Sequence, residues 1–214
     1  MQVLGLVKMI PARLQVINIL REAILSREIK EGTRLNLNEL SSQMGVSVTP
    51  VREALQILEK DCLIRLEPHK GAVVLGINEK YINDYYVTRA ILESEAASMA
   101  CEEGANVIEL QETFLKMKDV IEKDNYNLYA SMNQQLHMAI WNAADNERMK
   151  SIMLSLFVSR SIAKDSDVKE NAKSSFNEHK EIVTAILNKD KVLAKKCMYK
   201  HILRSMDDML TRFY

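Results

Sequence analysis

Helix-breaking residues are confined almost entirely to the first third of this 214-residue chain. All three prolines and five of the six glycines lie within residues 1–76, whereas residues 77–214 contain only Gly104 and no proline. Proline lacks a backbone N–H and glycine favours non-helical conformations, so both tend to end helices. The distribution predicts a mainly α fold: a mixed N-terminal domain over residues 1–76, followed by an all-helical bundle over residues 77–214.

Composition and cysteine usage narrow the class of protein. The chain has 29 basic and 29 acidic residues, which argues against a general polyanion binder but leaves room for a local basic face. Cys62, Cys101 and Cys197 are odd in number and lack metal-ligand spacing, so they indicate thiols of a reducing compartment. No stretch approaches the roughly 20 apolar residues that span a membrane. We therefore expect a cytoplasmic protein without membrane contact.

The segment around Pro50 has the pattern of a helix-turn-helix. Asn38 is expected to cap a short helix that ends at Gly45, where a left-handed conformation is easiest. Ser47 or Thr49 can cap the next helix, with Pro50 in its first turn, where a missing N–H costs nothing. The pattern predicts two short helices joined by a tight turn.

The second of these helices has one apolar face and one polar face. Val51, Leu55 and Leu58 share a face at helical spacing, while Arg52 and Gln56 point the opposite way. A helix of this kind can lie in a DNA groove, where Arg52 would contact bases or phosphates. The alternative interpretation is a surface ion pair between Arg52 and a neighbour on a solvated helix.

Further elements complete the pattern of a winged helix-turn-helix. A helix is predicted over residues 12–28, and two strands over residues 62–66 and 72–75 with a turn between them. The order helix, helix, helix, hairpin is that of a winged helix. His69 and Lys70 would then lie at the tip of the wing, where they could meet phosphate or the minor groove.

The N-terminal module resembles the GntR family of bacterial transcription regulators. The resemblance rests on the segments Asn38–Leu40, Gly45–Leu55, Leu58–Ile64 and Lys70–Val73. It implies a winged helix with the recognition helix at DNA. The residues that it assigns to DNA binding are Asn38, Ser47, Val48, Thr49, Arg52, His69, Lys70 and Gly71.

Two positions depart from the family pattern. Family members commonly carry arginine where this chain has Asn38 and Val48, and each missing cation removes one released counterion and some affinity for phosphate. Val48 could instead contact a thymine methyl group, which is a different readout of sequence. The expected DNA binding is salt-sensitive and of moderate strength.

Three of the four histidines lie on apolar faces of predicted helices in the C-terminal part. These are His137, His179 and His201, and Asn133 precedes the first of them by one helical turn. A single inward histidine is most simply a hydrogen-bonded core residue. Three from three helices can instead hold a divalent transition metal and leave coordination positions open for a ligand.

Arg89 falls on the core-facing stripe of a helix predicted over residues 80–103. A buried guanidinium needs a partner. Glu93, one turn later, could supply it through an ion pair within the helix. The carboxylate of a bound small molecule could also supply it, because a planar guanidinium suits bidentate pairing. Both interpretations stay open, and they are compatible.

The C-terminal part resembles the FCD effector domain of the FadR-type branch of this family, in its smaller six-helix version. The resemblance rests on Arg89–Glu93, Asn133–Ile140, Asn146, His179 and His201. It implies a zinc or nickel site and a bound effector. The implied metal ligands are Asn133, His137, His179 and His201, and the implied effector-binding residues are Arg89 and Arg160.

Asn133 is a departure within that metal set, because the family commonly has aspartate there. A neutral amide oxygen is a weaker ligand than a carboxylate and leaves the site more positive. We therefore expect either a looser metal or a stronger attraction for an anionic effector, and we expect Asn133→Asp to raise metal affinity.

These features together predict a transcription repressor that responds to a small molecule. A homodimer would bind an inverted-repeat operator in double-stranded DNA, and a small carboxylate effector would bind the helical domain over a divalent metal. One alternative is a metal-dependent hydrolase that uses the same histidines, although no carboxylate is evident as a general base beside Asn133 and His137. The other is a structural winged-helix dimer that senses nothing. The leading prediction is therefore a regulator that is not an enzyme.

Overall fold

The computed structural model describes residues 11–68, 70–157 and 168–213. These residues form two compact units, one containing the described residues up to Tyr81 and the other those from Ile82 onward. None of the helices in these stretches combines the length and the apolar character needed to cross a bilayer.

The described residues of the N-terminal unit form three helices and a small antiparallel sheet. Its elements are α1 (Ala12–Leu25), β1 (Arg34–Leu35), α2 (Leu37–Met44), α3 (Val48–Lys60), β2 (Ile64–Glu67) and β3 (Gly71–Val74). β3 is the central strand, with β1 and β2 on either side. The predicted winged helix is confirmed. Strand β1 was not predicted because two residues are too few to show an alternating pattern.

Helices α1 and α3 supply most of the apolar core of this unit. The side chains on these two helices that are less than 5% exposed are Val16, Ile17, Leu20, Ile24, Val51, Ala54, Leu55 and Leu58. Arg21 is buried among them and forms an ion pair with Asp61. Because α3 buries the predicted apolar face, its opposite face is held in a fixed orientation towards solvent.

The start of α2 differs from the prediction in its capping residue. Asn36, not Asn38, caps α2: its Oδ1 accepts hydrogen bonds from the N–H groups of Asn38 (2.8 Å) and Glu39 (3.4 Å). Asparagine is a favoured capping residue at either position, so residue type alone does not distinguish Asn36 from Asn38. Gly45 ends α2 with a φ of 63°, as predicted.

Helix α3 begins at Val48 and has Pro50 in its first turn, as predicted. Ser47 lies at the position before the helix, but its side chain makes no capping hydrogen bond. The helix ends at Lys60 with Asp61 as its C-cap, and Cys62 follows with a φ of 57°. The N–H of Cys62 donates to the carbonyl of Glu59 (2.9 Å), and the next N–H donates to the carbonyl of Leu58 (3.0 Å). This is the Schellman arrangement, in which glycine is preferred.

Replacing Cys62 with glycine is expected to stabilise the N-terminal unit. A residue with a Cβ atom pays about 1 kcal/mol or more in the left-handed region, and glycine does not. We expect Cys62→Gly to raise the free energy of unfolding by about 1 kcal/mol in urea denaturation. Cys62→Ala removes the thiol but keeps the Cβ atom, and it is the matched control. Equal stabilisation by both variants would show that the backbone conformation is not the cause.

The C-terminal unit contains six helices within the described residues. They are α4 (Glu79–Met99), α5 (Ile108–Glu122), α6 (Tyr126–Ala143), α7 (Glu147–Phe157), α8 (Val168–Leu187) and α9 (Lys191–Phe213). Neighbouring helices α5 and α6 pack against each other, as do α8 and α9, and α8 also contacts α5 and α6. The number of helices agrees with the predicted six-helix domain.

An apolar core lies between these helices. Its fully buried side chains include Leu110, Met117, Leu136, Ile140, Ile182 and Met198. Phe114 of α5 stacks on Phe176 of α8, with ring centroids 5.5 Å apart. The core fixes the inward faces of α6, α8 and α9, and each of these three faces carries one histidine.

Candidate metal centre and DNA-binding surface

Arg52 projects into solvent from the recognition helix α3. It is exposed, whereas its neighbours Val51 and Leu55 are fully buried on the opposite face. Glu53 pairs with Arg13 (3.5 Å), and no carboxylate in the described stretches pairs with Arg52. The alternative interpretation, a surface ion pair of Arg52, is therefore not observed among the described residues, and the guanidinium is exposed on the side opposite the core.

The other residues predicted to bind DNA lie around the same helix and in the hairpin. Asn38, Ser47, Thr49 and Lys70 are exposed and Val48 is half-buried, while His69 lies outside the described residues. Their contacts with DNA stay predictions.

Gly71 has a structural reason to be glycine. Its φ is 90°, and a Cβ atom there would collide with the carbonyl oxygen of Leu35 on the neighbouring strand. Only glycine allows β3 to approach β1 this closely. A contact of the Gly71 backbone with DNA stays a prediction beside this role.

Two cations on the sheet were missed by the sequence analysis. Arg34 of β1 and Arg65 of β2 both lie opposite Val73 of the central strand, and both are exposed. Each is 3.8–3.9 Å from the carboxylate of Glu67. Because β1 was not predicted, nothing in the sequence placed these two arginines side by side.

The three buried histidines converge on one point. His137 of α6, His179 of α8 and His201 of α9 are each no more than 2% exposed. The Nε2 atom of His179 lies 3.3 Å from that of His137 and 3.2 Å from that of His201. Zinc–nitrogen bonds of about 2.0–2.1 Å in a tetrahedral site place the nitrogens about 3.3–3.4 Å apart. The spacing therefore fits three imidazoles on one ion.

Each histidine has a hydrogen-bonding partner at its other ring nitrogen. The Nδ1 of His137 bonds Oε2 of Glu93. The Nδ1 of His179 lies 3.3 Å from the hydroxyl of Tyr129. These contacts leave Nε2 as the nitrogen that faces the centre of the cluster. Metal-binding histidines characteristically have such a partner, which fixes the ring orientation and the tautomer.

The Nδ1 atom of His201 also has a hydrogen-bonding partner. It bonds Oε2 of Glu178 at 2.7 Å, and Arg204 donates from Nε to the other oxygen of the same carboxylate at 2.5 Å. Arg204 also pairs with Asp208 one turn further along α9. Glu178 was not predicted to belong to the site, because the histidine that it contacts, His201, lies on a different helix.

Arg89 forms the predicted ion pair within α4. Its Nε and Nη2 donate to Oε1 of Glu93 at 2.8 Å and 2.7 Å, and the rings of Tyr85 and Tyr86 lie 5.7 Å from the guanidinium carbon. The Glu93 side chain is only 1% exposed. The link from Glu93 to His137 was missed, since the sequence analysis considered Glu93 only as a partner of Arg89. An effector contact by Arg89 stays a prediction.

Burial favours the neutral form of His179 and His201. Burial lowers the pKa of His179 well below its ordinary value, and the neighbouring imidazoles His201 and His137 lower it further. Burial also lowers the pKa of His201 and outweighs the hydrogen bond to Glu178, which raises it. Neutral rings present lone pairs, which is the form that binds metal.

The two glutamates are held in their charged form. Burial alone would raise the pKa of Glu93, but the charge of Arg89 and the contact with His137 outweigh it and lower the pKa to about 2. For Glu178, hydrogen bonds from His201 and Arg204 likewise outweigh burial and lower the pKa. Both carboxylates are therefore hydrogen-bond acceptors at neutral pH.

The two remaining residues of the predicted site are less well defined. Asn133 lies one turn before His137 on α6 and is half-buried. Arg160 lies outside the described residues. The assignment of Asn133 to the metal and of Arg160 to an effector stays a prediction.

The arrangement is suited to holding a cation rather than to hydrolysis. The neutral rings of His179 and His201 direct Nε2 atoms at each other, and a cation or a proton between them relieves the repulsion of their lone pairs. Glu93 and Glu178 lie at the far side of the rings and are bound to arginines, so neither is placed as a general base at the Nε2 side. The donor set fits zinc or nickel.

Comparison with known proteins gives matches to both units. Residues 12–74 match the family of bacterial regulatory proteins, gntR family, and residues 84–204 match the FCD domain. The gluconate operon transcriptional repressor of Bacillus licheniformis is 30% identical over 196 residues, which is 85% of this chain and 78% of that protein. The HTH-type transcriptional repressor RspR of Escherichia coli is 25% identical over 198 residues, covering 90% of this chain and 86% of that protein.

The fold also matches solved structures. Escherichia coli McbR/YncC has a TM-score of 0.67 at 22% identity, with 96% of this chain and 100% of that chain covered. A GntR family regulator from Pseudomonas syringae has a TM-score of 0.53 at 25% identity, covering 94% of this chain and 86% of that one. The first of these similarities concerns the fold alone.

Proposed function

Because the chain belongs to the GntR family of bacterial regulatory proteins, with an FCD domain as its helical part, we propose that this transcription regulator is a repressor controlled by a small organic acid. The acid would bind in the helical domain, over a divalent metal. In this proposal residues 1–76 bind DNA and residues 77–214 bind the acid and form the dimer. The observation that carries the metal part is the convergence of three buried Nε2 atoms.

The metal would be held by His137, His179 and His201, with Asn133 as a fourth ligand. When bound, a zinc or nickel ion would supply positive charge and open coordination positions for a carboxylate. The chain itself orients the site: Glu93 and Glu178 fix two of the rings through their Nδ1 atoms.

An anionic effector follows from the charges in the proposed ligand set. Three neutral imidazoles and the neutral amide of Asn133 leave the charge of a divalent ion uncompensated among its ligands, so an acid is the natural further ligand. Arg89 and Arg160 would contact the acid from the protein side. The gluconate operon transcriptional repressor of Bacillus licheniformis is a relative of this chain, and gluconate is a sugar acid. Gluconate is therefore the first compound to test.

Control of DNA binding requires two states of a dimer. Two copies of the recognition helix α3 would bind the two halves of an inverted repeat. The acid changes operator affinity only to the extent that it binds one dimer geometry more tightly than the other. Release of DNA by the acid corresponds to a repressor that is relieved by its effector.

The function can be tested by selecting genomic DNA fragments with the purified full chain. We expect an enriched inverted repeat, which then serves as a labelled probe for fluorescence anisotropy with and without millimolar gluconate and zinc. A shift of operator affinity by gluconate only in zinc-loaded protein supports the proposal. An operator whose affinity is unchanged by gluconate and by a panel of other small carboxylates would contradict control by an acid.

Arg52→Ala is expected to weaken operator binding by about 10- to 100-fold, which corresponds to a base or phosphate contact of about 1–3 kcal/mol. The residue is exposed on α3 and unpaired by any described carboxylate, so the substitution removes a DNA contact without disturbing the core. Lys60→Ala, at the opposite end of the same helix, is the control and should bind as the wild type does. Equal loss in both variants would point to a general charge effect.

A further inference from the structure

We propose that Glu93 and Glu178 act as positioning residues for the metal site. From the Nδ1 side of two histidine rings, they supply the negative charge that the neutral ligand Asn133 does not supply. This inference rests on the proposed metal site. It concerns how this chain retains a divalent ion in a buried site whose four protein ligands are all neutral. An ion in such a site is costly unless nearby groups compensate its charge.

Glu93 divides its two oxygens between two partners. Oε2 accepts the hydrogen bond from Nδ1 of His137, and Oε1 accepts both bonds from Arg89. The carboxylate lies fully inside the protein, where its interactions are not screened by water. Oε1 is paired with Arg89, and Oε2 faces the ring of His137. The pair is therefore a dipole with the negative end towards His137.

Glu178 makes corresponding contacts on other helices, although its side chain is 24% exposed. Oε2 accepts from Nδ1 of His201, and Oε1 accepts from Nε of Arg204. The first pair lies on α4 and acts on a histidine of α6, while the second joins α8 to α9. A carboxylate that is bound to an arginine thus lies on the Nδ1 side of two of the three histidine rings. The third ring, His179, has the neutral hydroxyl of Tyr129 instead.

A carboxylate that accepts the Nδ1 hydrogen makes the opposite nitrogen a stronger donor to metal. Loss of such an outer partner typically lowers metal affinity 10- to 100-fold. Two such partners can therefore offset a weak amide ligand at Asn133. If Asn133 is replaced by aspartate, the negative charge enters the ligand set directly, and the contribution of the outer glutamates becomes less important. The charge introduced by Asn133→Asp should therefore compensate for the loss of charge at an outer glutamate.

The test is a set of variants measured for Zn²⁺ affinity by competition with a chromophoric chelator, using the full chain. We expect Glu178→Gln to lower the affinity about 10- to 100-fold, and Asn133→Asp to raise it. In the double variant, Asn133→Asp should return the affinity of Glu178→Gln to within a few-fold of the wild type. Glu170→Gln, an exposed glutamate on the same helix, is the control and should not change it.

Substitution with Co²⁺ separates a positioning role from a ligand role. Glu178→Gln should keep the visible absorption spectrum of the wild type, because the ligands are the same, whereas Asn133→Asp should change it. Glu93→Gln serves as an independent second variant, and urea denaturation checks that it is folded. A purely structural role for the glutamates would lower stability without any rescue of zinc affinity by Asn133→Asp.

Two results would overturn the inference and differ in what else they overturn. If the wild type binds Zn²⁺ but Glu178→Gln and a folded Glu93→Gln bind it equally well, or if the double variant shows no rescue, the glutamates have no such role and the metal site stands. If the wild-type chain binds no Zn²⁺, the proposed metal site fails and the inference fails with it.

Discussion

Replacing His179 with alanine is expected to lower zinc affinity by more than about 100-fold, beyond the range observed when only an outer partner is lost. His179 is the central residue of the cluster, since its Nε2 lies within 3.3 Å of the Nε2 atoms of both His137 and His201. Its removal leaves two imidazoles and the amide of Asn133, which is too few strong donors for a structural or sensory zinc site. Competition with a chromophoric chelator measures the loss.

Lys180→Ala is the matched control for this prediction. Lys180 is adjacent to His179 on α8 but exposed, so its replacement leaves the cluster intact. Circular dichroism of the metal-free proteins would establish that His179→Ala retains its helices. Zinc affinity within a few-fold of the wild type in a folded His179→Ala would mean that the three histidines are core residues joined only by packing.

Replacing Arg89 with leucine is expected to destabilise the helical unit by about 3–5 kcal/mol, because it leaves the charge of Glu93 buried without its partner. The Glu93 side chain is 1% exposed and that of Arg89 is 12% exposed. The substitution removes two hydrogen bonds to one carboxylate oxygen. Urea denaturation of the metal-free protein measures the change, so that the result is independent of metal binding.

A second ion pair with the same spacing provides the control. Lys118 and Glu122 of α5 are also one turn apart, with nitrogen and oxygen 3.7 Å from each other, but both side chains are more than half exposed. Exposed pairs of this kind contribute little, so Lys118→Leu should change stability by less than about 1 kcal/mol. A similar effect of the two substitutions would show that burial is not what makes the Arg89–Glu93 pair important.

The sequence predicted the features that depend on residue type and local spacing. The confinement of proline and glycine to the N-terminal part reflects the division between a mixed unit and a helical unit. Helical periodicity placed His137, His179 and His201 on inward faces, and the structure buries all three. It also placed Arg52 on the outer face of α3. These predictions succeeded because each follows from the geometry of a single helix.

The features that the sequence did not predict depend on contacts between separate elements. The hydrogen bond from His137 to Glu93 joins residues 44 positions apart, and that from His201 to Glu178 joins residues 23 positions apart. Periodicity indicates that a side chain points inward, but not which inward side chains from other helices it meets. For the same reason the short strand β1, which exists only through its pairing with β3, was not predicted.

The sequence also did not show which of two equally suitable residues would make a given contact. Asn36 and Asn38 are both good capping residues. In the structure α2 begins at Leu37, so Asn36 is its N-cap. Glu93 could have paired with Arg89 alone, and instead it contacts both Arg89 and His137. Such double use of one side chain is visible only when the packed helices are known.

The proposed response to an acid depends on the buried histidine cluster being a metal centre. Equilibrium dialysis of the purified full chain against micromolar Zn²⁺ or Ni²⁺, followed by elemental analysis, tests that assignment most directly. We expect the wild type to retain one ion per chain and His179→Ala to retain none. A folded wild-type chain that retains neither metal, or that retains as much as His179→Ala does, would contradict it.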